Sequence, residues 1–123
     1  GTFLRCQKPS PQHWTNFSLG RSNIHLSAIC SVRDDFIRID LNIGTADAKE
    51  IFHKLKNKYE DDASKEFGNH LEWNENPEAK VSIINLKKDA KVSSRSLWTE
   101  QHEWLRENLE RFDRYFRSKI KKI

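Results

Sequence analysis

The last quarter of the chain carries an apolar pattern typical of a long amphipathic helix. Its large apolar residues recur at spacings of three and four, which places them on one helical face. They are Trp98, Trp104, Leu105, Leu109, Phe112, Phe116 and Ile120. Ser96 is positioned to cap this helix, and both tryptophans are expected in the core. A helix of roughly twenty residues with one apolar face needs a second layer to pack against.

Alternating apolar and polar residues predict three strands in the first part of the chain. Phe17 and Leu19 form the first strand, and residues 20–23 are interpreted as a turn with Arg21 exposed at its tip. The second strand alternates over residues 24–30, so the first two strands are expected to form a hairpin. The third strand alternates over residues 37–43 and is the clearest of the three.

The apolar period changes from two to four near Asp47, which predicts a second helix of about five turns. Asp47 and Glu50 resemble a capping box, and Gly68 is placed to end the helix. The expected buried face comprises Ile51, Phe52, Leu55, Tyr59, Ala63 and Phe67.

Two more strands are expected between the helices. Leu71 and Trp73 predict the fourth strand, and Val81, Ile83 and Leu86 predict the fifth. The order β-β-β-α-β-β-α favours an α+β domain of two layers, with a mostly antiparallel sheet of about five strands and both helices on one face. The 123 residues fit one domain over 1–123. The chain begins with Gly and contains no Met, which favours a piece of a longer protein.

Positive charge is concentrated at the two ends of the sequence. Residues 1–33 contain four Lys or Arg and no acid, and residues 87–123 contain eleven Lys or Arg against six acids. If these ends fold together, one face becomes basic, as binding to DNA or RNA requires. An ordinary solvated surface is the alternative. The candidate nucleic-acid-binding residues are Arg5, Lys8, Trp14, Arg21, Arg114, Arg117, Lys121 and Lys122.

The sequence shows no legible catalytic, metal or cofactor site. Asp40 and the segment 78–80 (Glu-Ala-Lys) supply the residue types of a restriction-type nuclease, but a predicted helix separates them. Asp40 also lies on the polar side of its strand, where a solvated carboxylate is expected. The five histidines lack helical ligand spacing, and residues 20–22 (Gly-Arg-Ser) lack the second Gly of a nucleophile elbow. We therefore predict no catalytic residue, no metal and no cofactor.

The two cysteines, Cys6 and Cys30, form no C-x-x-C pair, and no apolar run is long enough to span a membrane. These features favour a cytoplasmic protein without a membrane partner. Cys30 occupies an inward position of the second strand, so a buried thiol is expected there rather than a disulfide. Cys6 is left open.

Three sets of residues carry a resemblance to a known family. They are the segment 7–14 (Gln-Lys-Pro-Ser-Pro-Gln-His-Trp), the pair of segments 20–22 (Gly-Arg-Ser) and 25–27 (His-Leu-Ser), and Trp98-x-x-Gln101-His102-x-Trp104-Leu105 with Phe112, Phe116, Arg117 and Ile120. Over nearly all its length the chain resembles a bacterial and archaeal domain-of-unknown-function family, DUF family 4268. The resemblance implies that the chain is the C-terminal fragment of a longer protein with an upstream nuclease-like region, in a setting of nucleic-acid or defence biology. It implies no catalytic residue.

Two functions follow as expectations. The first is a non-catalytic accessory domain of a nuclease-like or defence-related protein that assists DNA or RNA binding. The alternative is a dimerisation or protein-docking module without nucleic-acid contact. The apolar stripe of the last helix supports that alternative, because its seven-residue spacing could serve both the sheet and a partner, including a second copy of the chain.

Overall fold

A computed structural model describes residues 17–123 of the protein. Seven main elements follow one another in the predicted order, joined by two short 3-10 helices at Gly68–His70 and Arg95–Leu97. The elements are β1 (Phe17–Arg21), β2 (Ile24–Ser31), β3 (Phe36–Ile43), α1 (Ala48–Phe67), β4 (Leu71–Asn74), β5 (Ser82–Asp89) and α2 (Trp98–Lys121).

All five strands form one antiparallel sheet in the order β1-β2-β3-β5-β4. The first three strands are sequential neighbours. The chain then crosses one position, so that β5 pairs with β3 and β4 lies outside β5. Strand β3 is therefore the centre of the sheet, paired over its full length with β2 and β5.

Both helices pack on the same face of the sheet, as predicted. Helix α2 covers β1, β2 and β3, whereas α1 covers β3, β5 and β4. The inward residues of the strands and the apolar faces of both helices form one buried cluster. The helices meet through Phe67 of α1, whose ring contacts the rings of Phe112 and Phe116 on α2. The predicted single α+β domain of two layers is confirmed.

The β1–β2 hairpin forms, but its turn is tighter than predicted. Gly20 and Arg21 belong to β1, and only Ser22 and Asn23 form the turn. The positive φ of Gly20, 86°, accompanies a shift of register between Ser18 and Arg21. The prediction that Arg21 lies exposed at the tip is wrong, because it ends a strand and is half-buried.

The helix caps differ from the prediction. Asp47 and Leu97 are the N-cap residues of α1 and α2, and neither makes a side-chain cap hydrogen bond. The expected capping box of Asp47 and the expected cap of Ser96 are therefore wrong. Gly68 ends α1 with a φ of 73°, as the sequence predicts. The buried face of α1 also agrees, except that Tyr59 is only half-buried.

Strand β5 is confirmed, but of the apolar residues that predicted it only Leu86 faces the core. Ser82, Ile84 and Leu86 face the core, whereas Ile83 shares the opposite face with the positions of Arg38 and Asp40 on β3. Val81 precedes the strand. Near the start of β5, apolar residues occupy both odd and even positions, namely Val81, Ile83 and Ile84. Alternation alone therefore did not define which residues face the core.

The tryptophans of α2 are less buried than predicted. Trp98 and Trp104 are both half-buried, and Trp98 Nε1 donates a hydrogen bond to the carbonyl of Val92 at 2.7 Å. The other apolar residues of the stripe are buried.

Cys30 is buried and disulfide-bonded. The expectation of a free thiol is therefore wrong, although the inward position of this residue is confirmed. Cys6 lies outside the described residues. Within residues 17–123, no helix combines the length and the apolar character needed to cross a bilayer.

Candidate nucleic-acid interface

The β1–β2 hairpin and the C-terminal end of α2 meet at one end of the molecule, which we call the basic end. The guanidinium of Arg21, at the end of β1, donates to the carbonyl of Ile123 at 3.4 Å. Two predicted candidates, Lys121 and Lys122, immediately precede that carbonyl in the chain. The fold thus brings together cations that are about a hundred residues apart in sequence, which is the condition under which the charge distribution gives a basic face.

Arg117 fixes the contact between α2 and β1. Its Nη2 donates to the carbonyl of Ser18 at 2.8 Å and to Asp113 Oδ1 at 2.6 Å. Its Nε also donates to Asp113 Oδ1, at 3.0 Å. Because an acid neutralises it and a backbone carbonyl holds it, Arg117 is better placed to position the hairpin than to bind an external phosphate.

Gly20 makes room for this arginine. A Cβ atom at position 20 would lie 3.1 Å from Arg117 Nη1, and the φ of 86° already disfavours any other residue. The local backbone of β1 and the guanidinium on α2 therefore depend on each other.

Arg114, Lys121 and Lys122 remain available for an external ligand. All three side chains are exposed, and none has a hydrogen-bond or ion-pair partner among residues 17–123. Their charges are not compensated locally. An uncompensated cation is the kind of group that displaces counterions from a phosphate backbone.

Helix α1 contributes cations that the sequence analysis missed. Lys54, Asn57 and Lys58 line a shallow groove of about 470 Å³ together with Lys122 and Ile123. Lys54 and Lys58 are four residues apart, so they lie on the same polar side of α1. That spacing was visible in the sequence, but the position of the pair beside the end of α2 depends on the tertiary fold.

The two helices run antiparallel through this region. Asp62 and Glu66 of α1 contact Tyr115 and Arg111 of α2, in reverse order along the chain. The hydroxyl of Tyr115 donates to Asp62 Oδ2 at 2.6 Å. Burial first, and then the Asp62 carboxylate, raise the pKa of Tyr115 far above its ordinary value, so this hydroxyl stays protonated.

Lys119 is held against this helix pair. Its ammonium lies 3.7 Å from the ring centroid of Tyr115 and 5.4 Å from that of Tyr59. Such cation–π contacts hold its charge between the helices. Lys119 therefore adds positive potential to the basic end but is less free than Lys121 or Lys122.

Comparison with known protein families identifies the chain. A family model described as "Domain of unknown function (DUF4268)" matches residues 1–120. The chain belongs to the DUF4268 family. No curated protein and no solved structure matches it.

The DUF4268 match ends at residue 120, just before two of the candidate residues. Arg21, Arg114 and Arg117 lie inside the matched segment, whereas Lys121 and Lys122 follow it. The remaining candidates, Arg5, Lys8 and Trp14, lie outside the described residues, so their place relative to the basic end stays a prediction.

The nuclease-like residues of this DUF4268 chain do not form a site. Asp40 is opposite Asn85 in the middle of the sheet, and its carboxylate accepts hydrogen bonds from Arg38 Nε at 2.6 Å and Nη2 at 3.0 Å. Only 4% of Asp40 is exposed, so the expectation of a solvated carboxylate is wrong. Residues 78–80 lie in the loop before β5, beyond the Ile43–Ser82 pair. Asp40 is three residue pairs, about 10 Å along the sheet, from the pair at the start of β5, and residues 78–80 lie before that pair in the chain.

The described residues contain no cluster of three or more His, Cys, Asp or Glu side chains arranged to hold a metal ion. His25 faces the side of the sheet opposite the helices, as its polar position in β2 predicts. His53 contacts Glu75 Oε2 at 2.9 Å on the surface.

Proposed function

We propose that this domain is a non-catalytic accessory domain that binds DNA or RNA through its basic end. The observation that supports the proposal is the meeting of Arg21 with the end of α2, where Arg114, Lys121 and Lys122 carry unpaired charge. Lys54 and Lys58 extend the same surface across a groove. A strand that follows this groove would have its phosphates within reach of cations from two helices.

The number of cations that reach the strand sets the expected salt dependence, and Lys54 is counted although it pairs with Glu50 at 3.8 Å on the exposed side of α1. If Lys54, Lys58, Arg114, Lys121 and Lys122 each contact a phosphate, the logarithm of the association constant falls with the logarithm of the salt concentration with a slope of about −4.5 on duplex DNA and about −3.5 on single strands. A slope of this size distinguishes an extended phosphate contact from one or two incidental ion pairs.

The setting of the domain is also part of the proposal. The resemblance to DUF4268 domains supports a place beside a nuclease-like region of a nucleic-acid-processing or defence-related protein. We also propose a cytoplasmic location from the low cysteine count, whereas the disulfide at Cys30 favours an oxidising compartment.

The experiment that tests nucleic-acid binding compares two triple variants of equal charge. In the first, Arg114, Lys121 and Lys122 are replaced by Glu. In the control, Arg33, Lys65 and Lys80 are replaced by Glu; these side chains are also exposed but lie outside the basic end. Both variants change the net charge from +4 to −2. Arg117 is left intact because its loss would also release β1.

Fluorescence anisotropy with short labelled single- and double-stranded DNA and RNA, at low and near-physiological salt, measures the outcome. We expect the first variant to bind at least a hundredfold more weakly and to lose about three units of salt slope, because three phosphate contacts are removed. The control should retain most of its affinity. Equal losses in both variants would show that only net charge matters and would overturn the proposed interface.

The alternative of a dimerisation or docking module is an outcome of the same experiment. The stripe of α2 is largely used within the fold, since Leu105, Phe112 and Phe116 are fully buried. Among the described residues, Phe17 is the one exposed large apolar side chain. Absence of nucleic-acid binding, together with a dimer in analytical ultracentrifugation, would favour the module.

A further inference from the structure

A second concave region lies near the middle of α2, away from the basic end. It is a cavity of about 290 Å³ between α2, the end of α1 and β5. Phe67, His70, Lys88, Trp104, Asn108 and Arg111 contribute to its lining. None of the described residues that line it is an Asp or Glu, and the lining includes three cations, Lys87, Lys88 and Arg111.

Arg111 is fixed in one position in this cavity. Its Nη1 donates to Asn108 Oδ1 at 3.0 Å, and its Nη2 donates to the carbonyl of Glu66 at 2.8 Å. The guanidinium carbon lies 4.8 Å from the ring centroid of Phe67. A guanidinium carries five N–H donors, and these contacts use two of them. The remaining donors are presented to a ligand at little further cost in side-chain entropy.

Asn108 fixes the orientation of the Arg111 guanidinium. Only 4% of Asn108 is exposed, and its Nδ2 donates to the carbonyl of Trp104 at 2.8 Å. The amide is thereby oriented so that its oxygen accepts from Arg111. A buried polar side chain thus links the cationic group of the cavity to the backbone beside its aromatic wall.

Lys88 and Trp104 complete the chemistry of the cavity. Lys88 is opposite Ile37 in the sheet, so its side chain leaves on the face that bears the helices, and it has no partner among the described residues. Trp104 is half-buried and offers an indole surface beside the cations. Two cations beside an aromatic wall match a ligand that carries a phosphate and a flat ring.

We infer that this cavity binds a nucleoside phosphate, with the base against Trp104 and the phosphate on Arg111 and Lys88. The volume lies near the lower limit of ligand cavities, about 300 Å³, so one nucleotide fits and a longer segment does not. The nucleotide is either free or the phosphorylated end of a strand. This site is separate from Lys121 and Lys122, because Arg111 precedes Lys121 by ten residues, about 15 Å of helix, whereas Arg114 lies one helical turn from Arg111.

The test uses the full chain labelled with ¹⁵N and follows the indole N–H signal of Trp104, assigned with Trp104→Phe. Adenosine monophosphate should shift this signal and give a dissociation constant at least tenfold lower than adenosine or inorganic phosphate. Lys88→Gln should weaken binding roughly tenfold, the effect of one charged hydrogen bond. Arg106→Gln is the control, since Arg106 lies on the same helix but pairs with Glu103 and Glu110 outside the cavity.

The outcomes separate this inference from the proposed function. Short oligonucleotides with a 5′-phosphate or a 5′-hydroxyl test whether the cavity takes the end of a strand. Tighter binding of the phosphorylated form, either of the oligonucleotide or of adenosine, supports the site. Replacing only Lys121 and Lys122 by Glu should leave binding of the mononucleotide unchanged, because both lie at least ten residues beyond Arg111 at the end of α2. The inference is overturned if adenosine monophosphate at millimolar concentration does not move the Trp104 signal, or if Lys88→Gln binds it as tightly as the unmodified chain.

Discussion

The two ends of α2 differ in charge, and this difference determines which end of the molecule attracts a polyanion. At the C-terminal end, Arg21, Arg114, Lys121 and Lys122 accumulate positive charge. At the N-terminal end, a cavity of about 760 Å³ is lined by acids that outnumber its bases, and we call it the acidic groove. Its acidic residues are Asp34, Asp35, Asp89 and Glu100.

Helix α2 separates these two regions. Its 24 residues span about 36 Å, several times the screening length of about 10 Å at 0.1 M salt. The acidic groove therefore cannot cancel the potential of the basic end under ordinary conditions. A single helix thus keeps two oppositely charged surfaces apart in one small domain. The same charges stabilise the helix, since an acid lies near the positive end of its dipole and bases lie near the negative end.

The largest expected effect comes from weakening the helix that holds the two ends apart. Phe116 is fully buried and contacts the rings of Phe67, Phe112 and Tyr115. Phe116→Ala should lower the free energy of unfolding by about 3–5 kcal/mol, because it removes a large ring from the core. Urea denaturation followed by circular dichroism measures the loss.

The control for that variant is Phe17→Ala. Phe17 is 41% exposed, so its truncation should cost less than about 1 kcal/mol. A loss for Phe116→Ala no larger than that of the control would mean that α2 does not depend on its contact with α1.

A smaller effect concerns the bond that joins α1 to α2 beside the basic end. Tyr115→Phe removes the hydrogen bond to Asp62 and should cost about 1 kcal/mol near pH 8, since the pair is partly exposed to solvent. The raised pKa of Tyr115 means that the native state favours the protonated hydroxyl. This stabilisation is fully present below the ordinary tyrosine pKa of 10.0 and decreases as the pH rises above it.

Urea denaturation of both proteins at pH 8 and pH 10.5 checks the direction of this effect. The difference between the unmodified chain and Tyr115→Phe should shrink at the higher pH. A difference that grows instead would contradict the assignment of the Asp62 bond to the protonated hydroxyl.

The smallest effect concerns the acidic groove. Asp34→Asn combined with Glu100→Gln removes two negative charges far from the basic end. Because the screening length reaches about 30 Å only near 0.01 M salt, nucleic-acid binding should strengthen by no more than about twofold there and remain unchanged at 0.1 M. Anisotropy titrations at the two salt concentrations measure this. A strong effect at 0.1 M would place the nucleic acid against the groove itself.

The sequence predicted best where one pattern had one interpretation. The alternation in β2 is confirmed, because Ile24, Leu26 and Ala28 are buried on the inward face and the residues between them lie on the other face. In β5 the inward set includes Ser82, and the apolar Ile83 lies on the other face. Hydropathy alone could not choose between these two registers.

The candidate site was predictable in its charges but not in its roles. The excess of cations at both chain ends was visible in the sequence, but only the fold shows that Arg21 meets the end of α2. The contact of Arg117 with Ser18 spans 99 residues, and no local pattern signals it. The same holds for Lys54 and Lys58, since their neighbour Lys122 belongs to a different helix. Tertiary packing decided which cations stay free and which become structural.

The register shift in β1 has a consequence for how this protein meets other chains. Strand β1 is an edge of the described sheet, and an edge with free backbone groups invites pairing with a foreign strand. Here the irregular backbone at Gly20 interrupts the edge, and the guanidinium of Arg117 occupies the carbonyl of Ser18. A foreign strand would have to displace a buttressed arginine before it could pair. The contact that joins the hairpin to α2 therefore also removes one backbone acceptor from the β1 edge, which disfavours edge-to-edge pairing there.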